Sequence, residues 1–150
     1  MLAVEPDATA RKAAAERARA AAVPIEVVDG DAAELPATDR TFDAAVVSGV
    51  LCSVPDPSIA LRELRRVLRD GGELRFWEHV RSRQAAFRLL QRTFDELFWT
   101  RSLGGCETTR DTETAIAAAG FEFVELARGF HSSSILTITS APYILGTART

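Results

Sequence analysis

The sequence predicts an α/β domain, a mostly parallel sheet wound with helices and closed by an antiparallel pair at its C-terminal end. Three observations carry that prediction. Apolar, strand-like runs alternate with helical patterns from residue 1 to about residue 80. The run "FDAAVVSGV" is continuously apolar, as a strand buried on both faces between helices is. Late in the chain "FEFVELA" and "SSILTITS" alternate in polarity, as half-exposed antiparallel strands do.

Taken in order, "MLAVE" reads as a short strand and residues 7–22 as an alanine-rich helix closed by Pro24. "IEVVDGDA" is a strand entering a turn at Gly30, and "FDAAVVSGV" is the buried strand already described. Residues 57–69 place Ile59, Leu61, Leu64, Val67 and Leu68 at helical spacing, with Asp70-Gly71-Gly72 as the stop. "ELRFWEHV" is the next strand. Residues 84–100 set Phe87, Leu90, Phe94, Leu97 and Phe98 on one helical face, and Asp111 caps a helix ending near Gly120. No repeat, low-complexity segment or linker divides the chain, so residues 1–150 read as one domain.

Composition narrows the function classes. With 18 basic and 21 acidic residues the net charge is -3, so there is no basic field for nucleic acid. No apolar run reaches the roughly 18 residues that span a bilayer, and no signal segment is evident, so a cytoplasmic protein is expected. Cys52 and Cys106 lie far apart without CxxC spacing, which predicts two free, packed thiols and no metal site.

In a wound sheet, ligands sit at the carboxyl ends of the strands. Those ends carry Glu5, Asp29 to Ala32, Ser48 to Leu51, and Glu78-His79. A strand-end carboxylate such as Glu5 can accept hydrogen bonds from both hydroxyls of a ribose, or can be a solvated loop acid. Asp31, followed by small residues, can reach an adenine amino group while a backbone N–H meets a ring nitrogen. Its alternative is a turn built from Asp and Gly.

The order of these features, ending in the block "ALRELRRVLRDGGELRFWEHV", resembles the class I S-adenosylmethionine-dependent methyltransferases. Dehydrogenases share the ribose acid but not that block, which leaves a nicotinamide-dependent oxidoreductase with Glu5 alone in its favour. "VLCSVPD", "RELRRVLRDGGELRFWEHV", "GCETTRDT" and the terminal "PYILGTA" extend the resemblance, over nearly the whole chain, to the thiol S-methyltransferase group. The resemblance implies S-adenosyl-L-methionine as cofactor, a Rossmann-like sheet, and methyl transfer to a small-molecule acceptor such as an alkyl thiol. Carried over, Glu5 holds the ribose hydroxyls and Asp31 with Ala32 the adenine. Ser48, Gly49 and Val50 line the wall beside the methionine portion. His79 is a candidate acceptor-side base. Trp77, Phe94, Phe98 and Trp99 are candidates for an apolar acceptor wall, with a plain aromatic core as the alternative, and "GGCETTRD" for a loop over it.

One departure from the family is plain. No GxG occurs in the chain, and the first glycine is Gly30. The family's first strand and its glycine-rich loop would stand immediately before residue 1, and that strand lies centrally, between the second and fourth. The expectation is an incomplete domain whose Met1 is an internal residue of a longer enzyme, with unpaired backbone on both neighbours of the missing strand. Such a domain should be destabilised, form a homodimer, or repack "LAVE" against "AAVVS". The alternative function is a non-catalytic remnant or partner-binding fragment.

Overall fold

A computed structural model describes residues 1–96, 105–132 and 135–150. The strands fall into two sheets. Strands β1 (Leu2–Val4) and β2 (Glu26–Val28) pair in parallel, joined by helix α1 (Ala8–Ala18). The second sheet has the order β3-β4-β6-β5, formed by β3 (Phe42–Ser48), β4 (Leu68–His79), β5 (Glu122–Phe130) and β6 (Pro142–Arg149). Strands β3 and β4 are parallel, whereas β6 runs antiparallel to both β4 and β5. Helix α2 (Pro57–Val67) links β3 to β4, and α3 (Ala85–Phe94) and α4 (Thr112–Ala118) lie between β4 and β5.

Helix α2 shows why the core forms. Asp56 accepts a hydrogen bond from the Ser58 N–H at 2.8 Å, and Pro57 fits the first turn, where its missing N–H costs nothing. Ala60, Leu61, Leu64 and Val67 then fall on one face and are buried. Of these, Ala60, Leu61 and Leu64 pack with Val47, Leu74 and Phe76 of the sheet, Ile116 of α4, and Ile144 and Ala148 of β6. Each fully buried Leu or Ile contributes about 1.5–3 kcal/mol.

The structure corrects the sequence reading at several places. The run around β3 is not buried on both faces: Val47 points into the core, but Val46 is 72% exposed. The helices α2 and α4 pack against Val47, Leu74, Phe76 and Ile144 on one side of the four-stranded sheet. Val46 and Leu145, on the other side, remain exposed. β1 does not repack against β3 but pairs with β2 alone among the described strands.

Of the segment expected as the closing strand, 133–134 lie outside the described residues and the rest is not a strand. Ile135–Ser140 is a 3₁₀ helix, and the antiparallel partner of β5 is Pro142–Arg149. "PYILGTAR" alternates just as well, and its inward Ile144 and Ala148 find a buried slot between β4 and β5.

Helix α2 stops at Val67, before the glycines, because Leu68 already pairs with Phe42. Gly71 and Gly72 lie in the irregular stretch before Glu73 rejoins the ladder at Ala44. Helix α1 ends at Ala18, short of Pro24. It buries no residue fully, and the Asp7 cap and the Arg11 bonds to the Glu5 carbonyl and to Asp29 support it beside local propensity. Asp111 caps α4 as expected, accepting from the Thr114 N–H. α3 extends to Phe94, and Leu97, Phe98 and Trp99 lie outside the described residues.

Candidate functional site

All the predicted cofactor residues stand at carboxyl ends of strands, but they are divided between the two sheets. Glu5 follows β1, and its N–H donates to the Val28 carbonyl of β2 at 3.1 Å. Its side-chain Oε1 accepts from the Asp7 N–H at 2.9 Å. Arg11 fastens this corner, donating to the Glu5 carbonyl at 2.8 Å and to Asp29 Oδ1 at 2.8 Å. Asp31 is exposed and closes a turn by accepting from the Ala33 N–H at 2.7 Å. Ala32 packs at the edge of the main core.

Ser48, Gly49 and Val50 leave the end of β3. Gly49 has φ of +66°, a conformation that side chains disfavour, and its N–H donates to the Trp77 carbonyl at 2.9 Å. The chain thereby turns back over β4. The turn is held from below by a residue that the sequence reading passed over. Glu78 is fully buried, and its two carboxylate oxygens accept from the Val50 N–H at 3.0 Å and the Cys52 N–H at 3.1 Å. Burial pushes its carboxyl up from the ordinary range, opposed by those backbone amides. The available signal was an acid at an inward position of "LRFWEH", where Leu74 and Phe76 mark the buried face.

The two cysteines, distant in sequence, meet here. Cys106 Sγ lies 3.1 Å from Cys52 Sγ, and His79 Nδ1 lies 3.5 Å from Cys106 Sγ and 3.9 Å from Cys52 Sγ. Neither thiol is in a disulfide, both are buried, and they pack against one another apart from the aliphatic core. The Cys52 thiol is pushed far up by its hydrogen bond with Cys106 and by burial. Two buried thiols outside any disulfide agree with the sequence reading, and what spacing along the chain did not show is that the fold brings them together beside His79.

A buried polar scaffold holds this arrangement. The Glu107 N–H donates to the Cys52 carbonyl at 2.7 Å, and Arg110 donates to the Leu51 carbonyl at 2.9 Å. From α3, Gln91 Nε2 donates to the carbonyls of Val80, Thr108 and Thr139, while its Oε1 accepts from the Ser82 N–H. Asp95 accepts from Thr108 Oγ1 and from the N–H and hydroxyl of Thr109. The described part of "GGCETTRD", residues 105–111, is thus a held loop bearing Cys106 against Cys52 and His79.

Of the predicted aromatic wall, Trp77 stacks edge-on with His79 at 4.8 Å and lies 5.6 Å from the Tyr143 ring. Phe94 is half-buried on α3, and Phe98 and Trp99 lie outside the described residues. Two surface concavities of about 640 and 650 Å³ are lined by Met1, Arg19 and Glu26 and by Arg40, Arg66 and Asp70, away from these strand ends.

Residues 1–76 match the family model described as "Methyltransferase domain". The chain belongs to the methyltransferase domain family. Within that family it is close to the thiol S-methyltransferases. It is 37% identical to thiol S-methyltransferase TMT1B of Rattus norvegicus over 110 residues, covering 73% of this chain and 44% of that protein. With thiol S-methyltransferase TMT1A of Homo sapiens it shares 34% over 88 residues, covering 59% of the chain and 36% of the relative. The chain spans less than half the length of the curated relatives it matches. A solved S-adenosylmethionine-dependent methyltransferase from Methanosarcina mazei superposes with a TM-score of 0.78 at 19% identity, over 99% of this chain and 81% of that one. That likeness shows the methyltransferase fold, in agreement with the class I, Rossmann-like architecture expected. No helix among the described residues is long and apolar enough to cross a membrane.

Proposed function

We propose that this methyltransferase domain transfers the methyl group of S-adenosyl-L-methionine to a small thiol. The observation that carries the proposal is that Glu5, Asp31 and the Ser48–Val50 turn each follow the carboxyl end of a parallel strand, β1, β2 and β3. Glu5 would receive the ribose hydroxyls, Asp31 and the Ala32 N–H the adenine, and Ser48, Gly49 and Val50 the methionine portion. The thiol preference rests on the relatives' names.

The chemistry demands little acid or base. The acceptor loses its proton, its sulfur forms a bond to the methyl carbon, and the carbon–sulfonium bond breaks in line. A thioether and S-adenosylhomocysteine result. His79 would receive the thiol proton. Most of the acceleration would come from alignment of the two reactants. We place such a domain in the cytoplasm, acting on a small molecule and not on nucleic acid.

The test is methyl transfer from labelled S-adenosylmethionine to a panel of alkyl and aryl thiols, alongside calorimetric titration of S-adenosylhomocysteine. Labelled thioether, abolished by Glu5→Ala, supports the reading. A folded chain that binds no S-adenosylhomocysteine supports the second reading, a non-catalytic fragment. The division of the strand ends between two sheets favours that alternative.

A further inference from the structure

We infer that Cys52, His79 and Cys106 form a three-ligand site for a soft divalent cation of the zinc class, whose fourth position receives the acceptor thiolate. This deepens the thiol-transfer reading and rests on it for the identity of the fourth ligand.

The donor set is the first argument. Two thiols and one imidazole nitrogen lie within 4.8 Å of one another, and this combination suits zinc-like ions over magnesium or calcium. Geometry is the second. With zinc–sulfur bonds of about 2.3 Å and zinc–nitrogen bonds of about 2.0 Å, a tetrahedral ion sets sulfur–sulfur spacing near 3.8 Å and sulfur–nitrogen spacing near 3.5 Å. The observed sulfur–nitrogen spacings are 3.5 and 3.9 Å. The sulfurs, at 3.1 Å, need to part by about 0.7 Å, within reach of small side-chain rotations. A disulfide would need them to close to about 2.05 Å and would leave the imidazole without a purpose.

The surroundings are the third argument. Each ligand is fixed from outside: Cys52 through Glu78 and Glu107, His79 by the Trp77 ring, and Cys106 on the loop held by Gln91 and Asp95. Among the described residues no fourth His, Cys, Asp or Glu joins the group, and residues 97–104 and 133–134 contain none. Sites with three protein ligands keep a position open for water or substrate.

Binding the ion releases the protons of Cys52 and Cys106 to solvent. The acceptor thiol would bind at the open position as its thiolate, giving up its proton to solvent, and the cation would take over from His79 the work of generating the nucleophile. Its sulfur then bonds to the methyl carbon as above, and the neutral thioether, a poorer ligand, leaves.

The experiment loads the reduced full chain with zinc, removes unbound metal by gel filtration and measures metal per chain. One zinc per chain, lost in Cys106→Ser and in Cys52→Ser, is expected. Substoichiometric retention, or equal retention by the double variant, overturns the site. Because a variant can fail by misfolding, cobalt is also titrated into the wild-type chain. Thiolate-to-cobalt charge-transfer bands with four-coordinate visible absorption are expected, and their absence overturns the site independently. Adding 2-mercaptoethanol should shift those bands, and an unchanged spectrum overturns the acceptor half. If the spectrum responds to thiol but no thiol in the panel is methylated, the transfer reading fails while the metal site stands.

Discussion

Gly146 faces neighbours that leave no room for a methyl group. A Cβ there would lie 2.1 Å from the Glu125 carbonyl oxygen of β5 and 3.0 Å from the Phe76 ring. Gly146→Ala should therefore destabilise the four-stranded sheet by about 1–3 kcal/mol, seen as a lower thermal midpoint. Leu61, fully buried at the centre of α2, should cost about 2–5 kcal/mol when cut to Ala. Glu78→Gln keeps the shape but sets an amide N–H against the N–H of Val50 or Cys52. That loss should cost about 1–3 kcal/mol in denaturant unfolding and weaken S-adenosylhomocysteine binding through the loosened turn. The sequence showed Glu78 only as an acid in a strand, since what makes it matter is the backbone returning over it.

At the scale of elements, the loop after β2 is tied to α2 by one ion-pair network. Glu63 accepts from Arg66 with both oxygens and from the Leu35 N–H at 2.9 Å, while Arg66 also reaches the carbonyls of Leu35 and Ala37 and the Asp39 carboxylate. Hydrogen bonding from Arg66 holds the Glu63 carboxyl below its ordinary value of 4.5. A depressed folded value means that this stabilisation is present above pH 4.5 and is lost as pH falls through the lower, folded value. Glu63→Gln should lower the thermal midpoint at pH 7 and flatten its decline below pH 4.5. If wild type and variant decline in parallel there, the network does not supply the acid sensitivity. The elements themselves were mostly legible: α2, α4, β4 and β5 follow from periodicity and caps. The closing strand was misplaced because "SSILTITS" and "PYILGTAR" share the same alternation, and only the slot between β4 and β5 selects one.

Across the whole molecule, β1 and β3 each pair on one side only among the described strands, so the cofactor groups of β1 and β2 are not fixed by hydrogen bonds to those of β3. We expect S-adenosylhomocysteine to bind the 150-residue chain weakly in calorimetry. A chain extended at its amino end by a strand and a GxGxG turn should bind at least about tenfold more tightly, a gain of about 1.4 kcal/mol. Equal affinity would mean that the strand ends already form the complete site.

The sequence by itself determined the alternation of strands and helices, the family, and the placing of Glu5, Asp31 and Ser48–Val50 at strand ends. Those properties are written in local periodicity, caps and turns, which depend on near neighbours in the chain. Only the tertiary structure decided which alternating segment closes the sheet, that β3 has an exposed face, and that Cys52, His79 and Cys106 share one point. These are contacts between residues dozens of positions apart, set by packing and by buried hydrogen bonds from Glu78, Gln91 and Asp95. No spacing along the chain records them.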